Sequence, residues 1–438
     1  MKFFSSVGIQ SPEILIPNNR LDFNKWAVVA CDQFTSQPEY WKIVEKTIGQ
    51  SPSTYHLILP EAYLGTEKEQ SHSSKINSLM ENYLNNNYFQ MIDGMIYIER
   101  FFDHSLRKGL IAALDLEQYD FTDGAGSLVR ATEGTIIDRL PPRIKIRQDA
   151  LLEIPHILVL IDDPEMTVIE PIAKSLNNTK PIYDFDLMQN SGHLTGYHIA
   201  SPNLEDKIIQ ALNKLISAEN QSNKYGVEKN APPLLFAIGD GNHSLATAKL
   251  IWDKIKHEVP ENHPARYALV EIVNIHDEGI VFEPIHRLLK SIKKDWFLSL
   301  KNNFNNKLDV QKISDFETLV SAISNNHTKN QVFGAFDKSN FWLIYIMEPK
   351  HSLTVGNIQN CIDNLISNDQ INEVDYIHGD DTIFDLGTKT GNAGIYLPAM
   401  RKDSLFRSVI KDGSLPRKTF SMGEPHQKRF YMECRKIK

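Results

Sequence analysis

The sequence of 438 residues predicts an α+β fold with mixed, largely antiparallel sheets and packed helices. Three observations predict it. Apolar runs separated by short polar turns give hairpin patterns, and apolar residues at helical spacing recur between them. The two patterns also follow each other without a regular β-α-β alternation, which favours α+β over a doubly wound sheet.

The elements follow from these patterns in order. Hairpins are predicted where two apolar runs flank a short polar turn, at 95–102 with 109–116, at 268–275 with 279–285, and at 331–336 with 340–346. Helical periodicity is present at 40–48, 74–84, 204–217 and 244–257. Alternation over 430–435 predicts a final strand. The polar stretch 219–233 ends in two prolines and predicts a linker. We therefore expect an N-terminal lobe over 1–225 and a C-terminal lobe over 226–438, unless the chain forms one compact unit.

Composition excludes several classes of protein. The formal net charge of −8 argues against nucleic acid or an anionic membrane as a partner. Three cysteines, at 31, 361 and 434, suit neither a disulfide framework nor a zinc site. The N-terminal segment lacks the apolar core of a signal peptide, and no apolar run approaches the roughly 20 residues that span a bilayer. We expect a cytoplasmic protein, and the composition leaves its oligomeric state open.

The stretch AIGDGNHSLATAK (237–249) is the strongest candidate for a site. The apolar run LLFAI (234–238) predicts a strand, and apolar spacing from Leu245 predicts a helix. Gly239 and Gly241 let the backbone approach a ligand closely, and the helix start favours an anion by about 0.3–1 kcal/mol, or up to ~2 when partly buried. The expected phosphate-binding residues are Gly239, Gly241, Asn242 and Ser244, and Asp240 and His243 are candidate catalytic residues. The alternative is a capped turn without a ligand.

Two familiar phosphate motifs do not fit this loop. A Walker A sequence is absent. The dinucleotide fingerprint is nearly matched, but Ser244 stands at its third glycine position, and Asp240 would repel a pyrophosphate unless a metal intervened.

Carboxylates elsewhere are candidates for metal binding or proton transfer. Asp162 and Asp163 end a buried run and can hold Mg²⁺ through oxygen ligands, or they simply make a turn. Asp32 follows another short apolar run, and Glu39 lies at the start of a predicted helix. Either is a candidate general base or metal ligand, or a charge that stabilises a helix N-terminus.

The stretch RLPPRIKIRQD (139–149) predicts a cationic face. If it is extended, Arg143, Lys145 and Arg147 share one side and the two isoleucines share the other. Such a face is either a solvated strand surface or a surface directed at phosphates or a substrate carboxylate.

The chain is identified as a member of the DUF1015 family on stretches that run from end to end. These stretches are AVVACDQFTSQPEYW (27–41), STYHLILPE (53–61), DGNHSLATA (240–248), EPIHRLL (283–289), YIHGDD (376–381) and LPRKTFSMGEPHQKRFYMECRKI (415–437). DGNHSLATA also resembles the D-G-H-H-R signature of the ParB/sulfiredoxin superfamily, whose loop and helix start bind nucleotide phosphates or a phosphoryl group. Asn242 and Ser244 replace a His and an Arg of that signature, so this loop offers no guanidinium.

This resemblance implies a ParB/sulfiredoxin-like strand–loop–helix core and a function. One branch of the superfamily phosphorylates free L-serine. The resemblance therefore implies a phosphotransferase that uses Mg²⁺ and ATP or ADP. Its expected substrate is a small hydroxyl compound, such as a free hydroxy amino acid. A nucleotide-binding regulatory protein of the ParB kind and a metabolic binding protein without catalysis are the alternatives.

Overall fold

A computed structural model describes residues 2–122, 124–176, 179–326 and 330–438. The chain forms two compact units. The core unit comprises Met1–Ile280 and Gly423–Lys438, and the inserted unit comprises Val281–Met422. Helices and mostly antiparallel sheets occur in both units, which confirms the predicted α+β class.

The core unit contains more elements than the hairpin and helix patterns predict. Its strands are β1 Lys2–Phe4, β2 Ile9–Ser11, β3 Glu13–Pro17, β4 Phe89–Asp93, β5 Ile96–Phe102, β6 Ser105–Asp115, β7 Tyr119–Asp120, β8 Val129–Ala131, β9 Leu152–Glu153, β10 Leu158–Ile161, β11 Tyr183–Asp186, β12 His193–His198, β13 Phe236–Asp240, β14 Tyr267–Asn274 and, near the C-terminus, β22 Arg435–Lys436. Its α-helices are α1 Phe23–Trp26, α2 Pro38–Ile48, α3 Glu67–Ser73, α4 Ile76–Asn85, α5 Pro141–Arg147, α6 Glu170–Ser175, α7 Pro202–Leu215, α8 Ala218–Tyr225 and α9 Asn242–Ile255.

One large mixed sheet organises the core unit, in the order β11-β12-β5-β6-β14-β10-β13-β8-β7. Strand β10 runs parallel to β14 and antiparallel to β13. Apolar side chains line both faces, since successive residues of a strand point to opposite sides. In β14, for example, Val270 packs with α7 and α9, whereas Leu269 packs with α2 and α4. Helices therefore cover both faces of the sheet.

The inserted unit has its own sheet and its own cores. Its strands are β15 Phe282–Lys290, β16 Leu308–Ile313, β17 Gln331–Phe336, β18 Phe341–Ile346, β19 Glu373–His378, β20 Asn392–Tyr396 and β21 Phe420–Met422, and its α-helices are α10 Trp296–Asn303, α11 Phe316–Ser324, α12 Thr354–Ser367, α13 Asp380–Gly387 and α14 Leu405–Asp412. The sheet order is β16-β18-β17-β20-β15-β19, with β21 beside β15. Helices α10 and α12 pack on one face, and α11 and α13 on the other.

Two of the three predicted hairpins are confirmed. Strands β5 and β6 pair in antiparallel fashion, as do β17 and β18. The pairing of 268–275 with 279–285 is wrong, because β14 belongs to the sheet of the core unit and β15 to that of the inserted unit. The short HDE turn therefore joins two units and makes no hairpin.

The four predicted helices are confirmed as α2, α4, α7 and α9, but the predicted linker is different. Residues Ala218–Tyr225 form helix α8, and the compact units divide at 280/281 and 422/423 instead of near 225. The final strand is also shorter than predicted. Residues 430 and 434 make single bridges to Val29 and Leu15, and only Arg435–Lys436 is strand.

The predicted extended segment at 139–149 is wrong, because Pro141–Arg147 is helix α5. Proline fits the first positions of a helix, where its missing N–H costs nothing and its fixed φ is already helical. The amide of Ile144 donates to the carbonyl of Leu140 at 2.9 Å.

Across the described ranges, no helix is long and apolar enough to cross a membrane.

Candidate functional site

The turn between β13 and α9 is the predicted strand–loop–helix unit. Gly239 and Asp240 are the last residues of the strand, and Gly241, with φ of 77°, is the N-cap residue that precedes the helix. A Cβ on Gly241 would lie 2.9 Å from the Cα of Ile157, so both the backbone conformation and the packing require glycine. No described side chain caps this helix start. Its first turn therefore presents main-chain donors and the positive end of the helix dipole.

Asn242 and His243 hold the neighbouring loop against this turn. The Asn242 amide donates to the carbonyl of Glu133 at 3.0 Å and to Thr135 Oγ1 at 3.2 Å, and it accepts from the Tyr119 hydroxyl at 3.2 Å. His243 Nε2 accepts from the amide of Ile136 at 3.3 Å. Both side chains thus hold the neighbouring loop against the turn, and their roles in phosphate binding and catalysis stay predictions.

A cavity of about 150 Å³ opens beside the start of α9. Ser244 and Thr247 line it from α9, and Arg143 and Arg147 line it from α5. The other walls come from separate parts of the core unit, namely Cys31, Leu57–Leu59, Glu61, Leu64, Met80, Pro142, Ile146, Ala150, Leu152–Ile157 and Tyr431. The cavity is therefore built by segments far apart in sequence around one helix start.

Helix α5 divides the three predicted cations. Arg143 and Arg147 are four residues apart and lie on the same face of the helix, whereas Lys145 is exposed and does not line the cavity. Arg143 forms an ion pair with Glu61, and Arg147 Nη2 lies 2.6 Å from Glu153 Oε2. The expectation of one face for all three cations is wrong, because it assumed a two-residue repeat where the helix repeats every 3.6 residues.

Asp240 is paired with a lysine from the C-terminal segment. Its Oδ2 lies 3.4 Å from Lys428 Nζ, and its Oδ1 accepts from the amide of Gly241 at 2.9 Å. The side chain of Asp240 is 20% exposed and that of Lys428 14%. A carboxylate and an ammonium therefore stand together at the open side of the loop.

Asp32 lies in the same charged group. Its Oδ2 is 3.8 Å from His156 Nε2, and Gln33 donates to its Oδ1 at 2.9 Å. Burial opposes ionisation of Asp32, but His156, Gln33 and Lys428 outweigh it and lower its pKa. Since Lys428 acts on Asp32 and contacts Asp240, the structure brings together these two predicted residues.

His156 is oriented from its other side. The Tyr431 hydroxyl accepts from the amide of Cys31 at 3.1 Å and lies 2.8 Å from His156 Nδ1. If the hydroxyl proton points to Nδ1, the ring carries its own proton on Nε2, which faces Asp32. A hydrogen-bonded chain then runs from Cys31 through Tyr431 to His156.

Other predicted residues lie elsewhere. Glu39 is exposed on the first turn of α2 and pairs with Lys42 at 3.1 Å. Asp162 and Asp163 directly follow β10. Leu158, the residue of β10 that pairs with Asp240, lies at the other end of that strand. The Asp162 carboxylate contacts Lys224, His276 and Tyr225 at 2.7–2.8 Å, and Asp163 accepts from the amides of Thr167 and Val168.

These contacts do not suit the predicted magnesium pair. Protein donors occupy both carboxylates, and the pair is remote from the Asp240 loop. Within the described ranges, no group of three or more His, Cys, Asp or Glu side chains is arranged to hold a metal ion.

Three residues of the site escaped the sequence patterns: Lys428, His156 and Tyr431. A single lysine, histidine or tyrosine has no spacing that distinguishes it, and these three reach the site through tertiary contacts alone. The sequence singles out the C-terminal stretch 415–437, which contains Lys428 and Tyr431, only through the resemblance described above.

The core unit is thus an α+β protein in which a charged cavity adjoins an uncapped strand–loop–helix turn. The model of the family described as "Protein of unknown function (DUF1015)" matches residues 15–365, and the chain belongs to this family. The chain matches no curated protein.

Several solved structures are similar to this chain. A mutant free serine kinase in complex with AMP has 11% sequence identity and a TM-score of 0.39, and the match covers 75% of this chain and 91% of that one. A conserved hypothetical protein from Pyrococcus furiosus has 12% identity and a TM-score of 0.35, with coverage of 75% and 95%. SbnI with a C-terminal truncation, from Staphylococcus aureus, has 9% identity and a TM-score of 0.36, with coverage of 72% and 82%.

Proposed function

We propose that the core unit is a nucleotide-dependent phosphotransferase that acts on a small hydroxyl substrate, such as a free hydroxy amino acid. The observation that carries the proposal is the single cavity shared by the start of α9 and by Arg143 and Arg147. Phosphoryl transfer depends mainly on positioning the reactants and on stabilising the charge of the phosphate oxygens. This cavity offers main-chain N–H donors from the start of α9 and guanidinium donors from the two arginines.

The size of the cavity indicates which parts of the two substrates would enter it. About 150 Å³ is enough for a phosphoryl group with a small acceptor, and it is below the range typical of pockets for larger ligands. The nucleoside part of the donor is therefore expected outside the cavity, with only its terminal phosphate at the start of α9. Ser244 and Thr247 add hydroxyl donors at that point.

The charged groups have separate roles in this proposal. Lys428 balances charge beside Asp240, and Arg143 and Arg147 stabilise the transferring phosphoryl group. Asp32, which is ionised at neutral pH, accepts the proton of the acceptor hydroxyl, while His156 orients its carboxylate. Mg²⁺ bound with the nucleotide would neutralise phosphate charge near Asp32 and Asp240.

Calorimetry with ATP, ADP and CTP, with and without Mg²⁺, tests binding. Nucleotide turnover with and without free hydroxy amino acids then tests catalysis. We expect binding of at least one nucleotide and turnover that requires both Mg²⁺ and a hydroxyl acceptor. Binding without turnover would support the non-catalytic regulatory function instead, and absence of binding would reject both.

A further inference from the structure

A cavity of about 680 Å³ opens at one end of the sheet of the inserted unit. The starts of β15 and β17, the end of β20 and the starts of α12 and α13 meet there, and every residue that lines the cavity belongs to the inserted unit. Its volume is within the range of roughly 300–1,000 Å³ that is typical of pockets for organic ligands. The proposed function uses none of these residues, so the cavity needs an explanation of its own.

One wall presents a carboxylate that is held from behind. Asp380 is the first residue of α13, lines the cavity, and has a side chain that is 48% exposed. Its Oδ2 accepts from the hydroxyl of Tyr396 at 3.1 Å, and its Oδ1 lies 3.3 Å from Nε2 of His286. These contacts fix the orientation of the carboxylate, and each oxygen can still accept a further hydrogen bond.

His286 is a fully buried donor to this carboxylate. Its Nδ1 accepts from the amide of Leu397 at 3.1 Å, so the proton of the neutral ring is on Nε2 and points to Asp380. Burial lowers the pKa of His286 to about 4, and the ring is therefore neutral at neutral pH. The ring also stacks on Tyr396 with 4.2 Å between the ring centroids. A buried histidine in one tautomer thus orients an exposed carboxylate, which a charge that only stabilises a helix start does not require.

The charged side chains that line the cavity leave it negative. Glu283 is exposed and has no hydrogen bond or ion pair within the described ranges. Arg401 is the one lining cation among the described residues, and its guanidinium is already paired with Asp403 at 2.7 and 3.1 Å. Asp380 and Glu283 therefore face the cavity without a cation of their own, and an ammonium group would supply one.

The start of α12 gives another part of the wall the opposite polarity. No described side chain caps this helix, and its first turn contains no acidic residue. Thr354 is 9% exposed and lines the cavity, and its hydroxyl has no partner in the described part of the chain. Asp412 accepts from the amide and the hydroxyl of Ser352, before the helix, and so leaves the main-chain donors of the first turn to another acceptor. These donors and the hydroxyl of Thr354 suit a carboxylate.

We propose that this cavity binds a small aliphatic zwitterion, namely an amino acid or a short peptide. Its ammonium group would lie at Asp380 and Glu283 and its carboxylate at the start of α12. Apolar side chains line the space around these polar groups and suit an aliphatic body: Ile323, Val332, Leu353, Leu397 and Met400. The inserted unit would thus carry a ligand site of its own, distinct from the cavity beside α9.

Calorimetric titration of the full chain with leucine and with trileucine tests the proposal. Both compounds carry the same two charged ends and differ in length, so the one that binds identifies the source of the ligand. The N-acetylated and the C-amidated forms of that compound each lack one charged end, and we expect each to bind at least tenfold more weakly. Failure of both leucine and trileucine to bind, or equal affinities of the free and blocked forms, would overturn the proposal.

Two variants locate the binding site. Asp380→Asn should weaken binding by about ten- to a hundredfold, whereas Asp381→Asn, which removes the same charge from the same helix start outside the cavity, should not. Thr354→Val should weaken binding of the free compound more than that of its C-amidated form. Equal losses in Asp380→Asn and Asp381→Asn would assign the binding to another place. No measurement uses nucleotide or turnover, so the result is independent of the proposed function.

Discussion

Asp240 is a carboxylate beside a helix start that favours anions, and Lys428 forms an ion pair with it. We expect Asp240→Asn to abolish nucleotide turnover while the unfolding midpoint in urea changes little, because the isosteric amide keeps the acceptor for Gly241 and loses only the charge. The matched control is Asp253→Asn, which removes a partly exposed carboxylate from the far end of α9. Unchanged turnover in Asp240→Asn would exclude Asp240 from the mechanism.

Arg143 and Lys145 provide a matched pair on one short helix. Arg143→Ala should weaken nucleotide binding by about ten- to a hundredfold, because it removes a charge-assisted hydrogen bond of roughly 1.5–3 kcal/mol. Lys145→Ala removes the same charge from the exposed side of α5 and should leave the dissociation constant unchanged. Calorimetric titration of both variants decides the matter. Equal losses of affinity in the two variants would mean that the cations of α5 act only through long-range electrostatic attraction and not through a direct contact.

At the scale of elements, the turn into α9 depends on one glycine. Gly241 and Gly226 both have positive φ, but only at Gly241 would a Cβ clash with neighbouring backbone, while nothing lies within 4 Å at Gly226. Each Gly→Ala change should cost about 1–2 kcal/mol for the left-handed conformation. Gly241→Ala should cost measurably more in urea denaturation and should also impair nucleotide binding. Equal costs would show that Ile157 moves away freely.

The same elements show how far the sequence leads. Long amphipathic helices and tight hairpins were predicted because their signals are local, as in α7 and in the pairing of β5 with β6. The segment 139–149 failed because alternating isoleucines and cations also fit one helical turn, and Pro141 and Pro142 act as helix starters there. The turn at 240–244 was predicted correctly. Its partners Lys428 and His156 were not, because only tertiary packing brings them to Asp240 and Asp32.

At the scale of the whole molecule, Glu153 joins four separate segments of the core unit. It lies on β9, pairs with Arg147 of α5 at 2.6 Å and with Arg435 of β22 at 2.7 Å, and accepts from the amide of Leu269 in β14. Burial opposes its ionisation, but Arg435 and Arg147 outweigh burial and lower its pKa. Its charge therefore stabilises the fold at neutral pH.

The sign of the pH dependence follows from this lowered pKa. The contribution of Glu153 is complete above the ordinary pKa of a glutamate, about 4.3, and is lost as pH falls towards its lower value in the folded state. Glu153→Gln should destabilise the protein by about 3–5 kcal/mol at neutral pH and flatten the acid side of its stability profile. Urea denaturation across this pH range tests the prediction, with exposed Glu13→Gln as the control. If the stability of Glu153→Gln fell with pH in parallel with that of the unmodified protein, groups other than Glu153 would cause the acid sensitivity.

The core unit is discontinuous in sequence, and this has a consequence for its synthesis. On the ribosome, the sheet strands up to Asn274 emerge first, and the whole inserted unit must be translated before Lys428, Tyr431 and Arg435 exist. At roughly 5–20 residues per second, that interval is on the order of ten seconds. During it, the nascent core lacks the apolar side chains of Phe430 and Met432 and the partner of Asp240. A truncated product of interrupted translation would consequently be incompletely packed and would expose apolar surface, so chaperones and proteases would be expected to recognise it.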